Sequence, residues 1–301
     1  MTQELKHIRA SRQTHRSLLR TAAAVCAAAV GLTLVSCGYG LDEFFSHGES
    51  VHSRADTLSD IAAPSISGGK TAYRVIVFSD VHFGGTQDHD SVDTKFFNWI
   101  QGLKDANDGN FPEFCICLGD IVDHGNASEY SKYTAFTARL ESTFGLRTYT
   151  VLGNHDLFNS GWDIWKKTVF PYVSFYRFKT SSFSWYFLDT GSGSLGTGQM
   201  DALTRAMESD PNPKLVFSHY PVYANGEFYF VMQNTYERTA LLTLYANNNV
   251  KHVMDGHSHI ANYYDFGSFA ERTLGCYLSD RTWALLYVDE ANKTVRSESA
   301  P

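Results

Sequence analysis

The stretch from Phe114 to Asp123, Phe-Cys-Ile-Cys-Leu-Gly-Asp-Ile-Val-Asp, limits what this chain can become more than any other. Its five leading apolar residues read as a buried strand, and the apolar character stops at Gly119-Asp120. A carboxylate at the end of a buried strand is poorly solvated and calls for a cationic partner. Gly119 has no Cβ, so the backbone can turn sharply there or let a ligand come close. Taken alone, Asp120 fits a residue that caps the turn after a strand. Repetition changes that weighing, because other strands in the chain end in the same kind of residue.

Tyr73 to Phe78 is a second β-rich run, and it ends in Ser79-Asp80-Val81-His82. Asp88, His89 and Asp90 follow as loop residues, with lining of the site as the second reading. Phe96, Phe97, Ile100 and Leu103 fall at helical spacing, which predicts an amphipathic helix over 91–104. Tyr133, Phe136 and Leu140 predict another over 128–143. Leu146 to Leu152 reads as a third strand, ending in Gly153-Asn154-His155-Asp156. The order so far is β-α-β-α-β, and ligands of such folds gather at the carboxyl ends of the strands.

Further along, helices are expected over 162–170, 197–209 and 235–246, and a hairpin over 175–178 and 183–188. Strands are expected at Lys214–Phe217 and Val250–Met254, ending in Ser218-His219 and in Asp255-Gly256-His257-Ser258-His259. The last strands are expected at 263–266, 272–278 and 284–288. The hairpin closes in Asp189-Thr190-Gly191, the tripeptide of aspartic proteases. Those enzymes need two such carboxylates sharing a proton, and the chain has no second Asp-Thr-Gly or Asp-Ser-Gly. Asp189 is therefore read as a turn residue. Tyr223, Phe228, Tyr229 and Phe230 are candidates for an aromatic wall beside a site, or for a loop packing on itself. His7, His15, His47, His52, His89, His124 and His252 are given no role.

The first twenty residues hold five cations, Lys6, Arg9, Arg12, Arg16 and Arg20, against one acid, Glu4. Small apolar residues then run from Thr21 to Val35, too short for a comfortable membrane span and laid out as a signal peptide. The run ends in Leu34-Val35-Ser36-Cys37, which resembles the bacterial lipobox. That resemblance implies lipidation of Cys37, which becomes the first residue of the mature chain. A plain secretory signal or membrane anchor is the other reading. The expected division is a signal over 1–36, a lipidated cysteine and tether over 37–71, and one large domain over 72–301. Cleavage leaves 265 residues (301 − 36) and a net charge of −11 (20 basic, 31 acidic), which argues against a nucleic-acid-binding face. Cys115 and Cys117 share one face of a strand and cannot easily bridge. With Cys276 they read as buried apolar residues.

Collected, the strand ends are Asp80-x-His82, Gly119-Asp120-x-x-Asp123, Gly153-Asn154-His155-Asp156, Ser218-His219 and Gly256-His257-x-His259. These five blocks, in this order, resemble the calcineurin-like metallophosphoesterase superfamily over Tyr73 to Val288. The resemblance implies an α/β fold of four layers, αββα, with two packed mixed β-sheets flanked by helices. It also implies two metal ions: Asp80, His82, Asp120 and His259 on one, with Asp120 bridging to a second that takes Asn154, His219 and His257. Imidazole, carboxylate and amide donors without a thiolate suit manganese, iron, zinc, cobalt or nickel.

The implied reaction is in-line attack of a metal-bridging hydroxide on a phosphomonoester or phosphodiester. His155, with Asp156 beside it, acts at the leaving oxygen, and Asp123 supports the site from behind. Two divalent ions less Asp80, Asp120 and the hydroxide leave one positive charge, enough to attract a phosphate to an acidic protein. Purple acid phosphatases carry Tyr where this chain has Asp123 and lack His82, so an iron–tyrosinate colour is not expected. The implied setting is the bacterial envelope, with the domain facing outward from a membrane anchor. A binding or scaffold lipoprotein that keeps the fold without turnover is the alternative. Specificity is expected from the loops 83–90, 159–168 and 223–235.

Overall fold

The computed structural model describes residues 51–227 and 229–300. The first described elements are α1 (Val51–Ala55), β1 (Ser59–Asp60), β2 (Ala72–Phe78), α2 (His89–Asp105), β3 (Cys115–Cys117), α3 (Ala127–Phe144) and β4 (Thr148–Thr150). Next come α4 (Gly161–Thr168), β5 (Tyr176–Lys179), β6 (Ser184–Phe187), α5 (Gly196–Glu208), β7 (Lys214–Phe217), α6 (Thr235–Asn247) and β8 (Val250–Asp255). The last elements are β9 (Asn262–Asp265), β10 (Ala270–Thr273), α7 (Tyr277–Asp280), β11 (Trp283–Asp289) and β12 (Thr294–Ala300).

The strands make two mixed sheets. One has the order β12-β11-β2-β3-β4, with β2, β3 and β4 parallel. The other has the order β1-β5-β6-β7-β8-β10-β9, with β6, β7 and β8 parallel. Alternation sorts the side chains into layers. Val75, Val77, Ile116 and Leu286 of the first sheet pack against Phe178, Trp185, Phe187 and Phe217 of the second. Ile76, Phe78, Cys115 and Cys117 point the other way, against Phe96, Tyr133 and Phe136 of α2 and α3. Tyr186, Val216 and Val253 meet Leu203, Met207 and Leu241 of α5 and α6. The result is the αββα sandwich. Strands buried on both faces have no polar face to show, hence the continuous apolar runs at 73–78 and 114–118.

Three segments differ from the sequence reading. Residues from Val51 onward, which fall in the expected tether, pack against the rest of the described residues. Val51 and Ala55 are buried in the core around α5, and β1 pairs in parallel with β5. Arg54 donates from Nε and Nη2 to the two oxygens of Asp189, at 3.0 and 3.1 Å, with both side chains almost wholly buried. Asp189 is thus the anion of a buried ion pair, and its cation lies 135 residues upstream. Second, the strand expected over 272–278 splits at Gly275. β10 stops at Thr273, and the chain turns so that Tyr277 donates its amide to the Ser79 carbonyl at 2.8 Å. Third, β12 is polar and charged along Thr294–Ala300 and lacks an apolar signature, yet it pairs along the whole of β11.

Removing one member of a buried ion pair leaves the other desolvated and uncompensated. Arg54→Met should therefore lower the free energy of unfolding by about 3–5 kcal/mol. Chemical denaturation of the two proteins checks this, and a change within about 0.5 kcal/mol, ordinary for a surface substitution, would contradict the anchoring role.

Candidate metal centre

The first two sequence blocks lie side by side because the parallel ladder continues past its strands. Leu118 donates to the Phe78 carbonyl, Asp80 to that of Gly119 and His82 to that of Asp120, at 2.9, 3.0 and 2.9 Å. The second sheet does the same, with Ser218 donating to Met254 and Gly256 to His219 at 3.1 and 3.0 Å. Five of the candidate ligands sit in the left-handed region of backbone space, which strains a residue with a side chain: Asp80, His82, Asp120, His257 and His259, at φ from 49° to 63°. Gly119 has φ 101°, and a Cβ there would stand 2.7 Å from His219 Nδ1. That explains the glycine before Asp120 in terms of contact.

The structure brings all seven candidate ligands to one end of the two sheets. His82 and His259 face each other through Nε2 at 3.3 Å, and Asp80 Oδ1 is 3.3 Å from His259 Nε2. Asp120 Oδ2 stands between the halves, 3.8 Å from His82 Nε2 and 3.4 Å from His219 Nε2. His219 donates Nδ1–H to the Leu118 carbonyl at 2.8 Å, which leaves the lone pair of the neutral ring on Nε2. That nitrogen lies 3.0 Å from Asn154 Oδ1. Donor atoms of Asp120, His219 and His257 lie within 4.8 Å of one another, as do those of His82, Asp120 and His155.

The electrostatics agree. Burial would raise the Asp120 carboxyl, but His219, His155 and His82 hold it well below its usual range. Asp80 is also held low against burial, chiefly by His259. Burial would lower His82 and His219, yet Asp123 and Asp120 respectively lead the carboxylates that raise each to about 9. His257 is pushed down to about 3 by burial and by His219. Buried carboxylates thus set up a negative potential at points ringed by imidazole nitrogens. Asp80 Oδ1 is fully buried without a hydrogen-bond partner. This donor set and this field fit divalent cations.

His155 and Asp156 sit differently. His155 donates Nδ1–H to the Asp123 carbonyl at 2.7 Å, and its ring meets that of His82 edge-on at 4.7 Å. Asp156 is fully buried and accepts from the amides of Gly153, Ile121 and Val122 at 2.7, 2.9 and 3.3 Å. Burial and the charge of Asp120 raise its carboxyl to about 7. It splices the loop after β3 to the loop after β4. Asp123 Oδ1 lies 3.4 Å from His82 Nδ1.

Several residues serving the site carry no local signal in the sequence. Thr190 Oγ1 accepts from the amides of His219 and Tyr220 at 3.0 and 2.9 Å, so the Asp189-Thr190 turn holds the His219 loop. Glu271 of β10 accepts from the amides of Val222, Tyr223 and Ala224 at 2.8, 3.0 and 2.9 Å. His89 bonds the His82 carbonyl through Nε2 at 2.9 Å and stacks on Phe83. Cys276 Sγ falls within 4.8 Å of ring nitrogens of His82 and His259, whereas the sequence predicts a donor set free of thiolate.

Of the expected aromatic wall, Phe230 lies 6.5 Å from the His257 ring, Tyr229 is exposed, and Phe228 is outside the described residues. Tyr223 packs on Tyr264 and Phe266. A cleft of about 310 Å³ opens on the site, with His82, Asp123, His155, His259 and Cys276 in its wall. Among the described residues lining it there is no Lys or Arg.

Comparison with known proteins follows the same lines. The model of a family described as Calcineurin-like phosphoesterase matches residues 73–261. A probable cyclic nucleotide phosphodiesterase from Fibrobacter succinogenes is 26% identical over 154 residues, 49% of this chain and 57% of that protein. A dimetal phosphatase from Danio rerio superposes with a TM-score of 0.59 at 13% identity, over 72% of this chain and 93% of its own. GAP50, the anchor in the inner membrane complex of Plasmodium, gives 0.58 at 16% identity, over 76% of this chain and 84% of its own. At such identities the two superpositions speak for the fold alone.

Asp156 is enclosed behind the ligands, so its removal should act through the groups it aligns. Asp156→Ala is expected to weaken manganese binding by about 10–100-fold while all seven ligands remain. Titration with manganese followed by calorimetry measures this, and unchanged affinity would contradict the positioning role.

Proposed function

The chain belongs to the calcineurin-like phosphoesterase family, and on that premise we propose that it is a metal-dependent phosphoesterase with phosphodiesters as its preferred substrates. The observation that carries the reading is the meeting of Asp80, His82, Asp120, Asn154, His219, His257 and His259 around Asp120, whose carboxylate reaches both halves of the group. Asp80, His82, Asp120 and His259 would hold one divalent ion, and Asp120, Asn154, His219 and His257 a second. Manganese, iron, zinc, cobalt and nickel all suit these donors. Once bound, the pair supplies Lewis-acid stabilisation of the phosphoryl oxygens and activates a water for in-line attack.

The chain's own residues do the rest. The bond from His155 Nδ1–H to the Asp123 carbonyl fixes the ring, so Nε2 is the atom that serves the reaction. In its imidazolium form His155 gives the Nε2 proton to the oxygen that leaves. Asp123 holds His82 in orientation, and Asp156 keeps the His155 and Asp120 loops in register. A monoester brings close to two negative charges at neutral pH and a diester one. A cleft that offers Asp123 and no Lys or Arg among its described lining residues favours the diester. The name of the Fibrobacter relative supports the same preference.

A second reading is a binding or anchoring protein on this fold, as the Plasmodium neighbour is described to be. The complete donor set weighs against it. Metal-stripped protein reloaded with manganese should hydrolyse an aryl phosphodiester at least about tenfold faster than the matching monoester, a difference of roughly 1.4 kcal/mol in barrier. Asp120→Ala should lose turnover, and His155→Gln should lose about 10²–10⁴-fold in kcat with its metal retained. Monoester preference would make the protein a phosphatase. Metal-loaded protein without turnover of either ester would favour the binding reading.

We also propose that the chain is exported and lipidated at Cys37, at the bacterial envelope. The basic segment, the apolar run and Leu34-Val35-Ser36-Cys37 support this, and all lie outside the described residues. Cys37→Ala should abolish metabolic labelling with a fatty acid. Acylation that persists in the variant would rule the site out.

A further inference from the structure

Cys276 differs from the other cysteines of the domain. Cys115 and Cys117 are enclosed between the five-stranded sheet and its helices. Cys276 lines the cleft, and its Sγ lies within 4.8 Å of ring nitrogens of both His82 and His259. The neighbouring Asp80 Oδ1 adds an independent sign. It is fully buried, has no hydrogen-bond partner and points at the same His259 Nε2 from 3.3 Å. Sulfur and two imidazoles thus gather at one place, and one of those imidazoles also faces the buried Asp80 carboxylate.

Two backbone contacts aim the thiol. Its S–H donates to the Asp80 carbonyl at 3.2 Å, and the Ser279 amide donates to the sulfur at 3.3 Å. Burial and the charge of Asp80 push the free thiol up to about 11, and the Ser279 amide directed at sulfur works in the opposite direction. The contact also caps α7, but a helix start is served better by Ser, Thr, Asp or Asn. Capping therefore gives no reason for sulfur at this position. The turn at Gly275 sets it there, because Tyr277 and Leu278 donate to the carbonyls of Ser79 and Asp80, at 2.8 and 3.4 Å. The segment is thereby fastened to the backbone of the first ligand block.

We infer that Cys276 is a sulfur ligand of the metal ion held by Asp80, His82 and His259, and that it biases this position toward zinc, cobalt or ferrous iron over manganese. The inference rests on the dimetal reading above. On binding, the thiol would give its proton to solvent, losing its S–H bond to the Asp80 carbonyl, and a lone pair of the resulting thiolate would face the metal, with nothing oxidised or reduced. A soft donor added to a set of imidazole and carboxylate shifts selectivity in this direction.

Zinc X-ray absorption on the purified full-length protein, loaded with zinc, tests this without any assay of turnover. The wild-type spectrum should contain a sulfur shell at about 2.3 Å. Cys276→Ser should lose it, with Cys115 and Cys117 left in place as internal controls. In competition, the zinc-over-manganese preference of Cys276→Ser should fall at least about tenfold. A wild-type spectrum with nitrogen and oxygen neighbours alone overturns the inference without need of a variant, as does a sulfur shell that survives Cys276→Ser. Either result, with zinc bound, leaves the phosphoesterase reading standing. Failure of the wild type to bind zinc or manganese at all would sink both.

Discussion

The carboxylate of Asp120, buried at the end of a central strand, is the constraint to which the rest of the site answers. A charge so placed is costly unless positive groups surround it. His82 approaches from the loop after β2, His155 from the loop after β4, and His219 from the loop after β7. His82 and His219 are carried there by ladder bonds that extend past the strand ends, and His155 by its amide bond to the Asp120 carboxylate, so the two sheets act as rigid mounts for one small volume. The left-handed backbone at five candidate ligand positions is the strain that this convergence costs, offset by the packing of the strands behind it.

The supports of this volume come from far along the chain. Thr190 holds the His219 loop, and Asp189 beside it is pinned by Arg54 from the first described helix. Glu271 fastens the loop that follows His219 through three amides, and burial raises its carboxyl against them. The Gly275–Leu278 segment is tied to the carbonyls of Ser79 and Asp80. An Asp-Thr-Gly tripeptide, a strand of the second sheet and an N-terminal stretch thus share one role. They fix loops whose errors would reach the ligands directly.

How much of this the sequence disclosed follows from where the information lies. The runs at 73–78 and 114–118 announce buried strands, and the polar residues just after them announce a site, because both signals are local. The helices of 89–105 and 127–144 show in the spacing of Phe96 and Ile100 and of Tyr133 and Phe136. Arg54–Asp189 is illegible because each residue alone looks like a surface charge or a turn. β12 is illegible because pairing with β11, and no apolar face of its own, makes it a strand. The break between β10 and α7 hides in a stretch of ordinary strand formers, where only Gly275 hints at the turn. Cys276 reads as an inert apolar residue until the fold sets it beside His82 and His259.

The central claim is that Asp120 joins two metal positions into one centre. Counting metal equivalents by mass spectrometry, on protein stripped with chelator and reloaded with manganese, addresses it most directly. About two equivalents per chain are expected, and no more than about one when Asp120 is replaced by Ala. Two equivalents that survive the replacement, or none bound by the wild type, would contradict it.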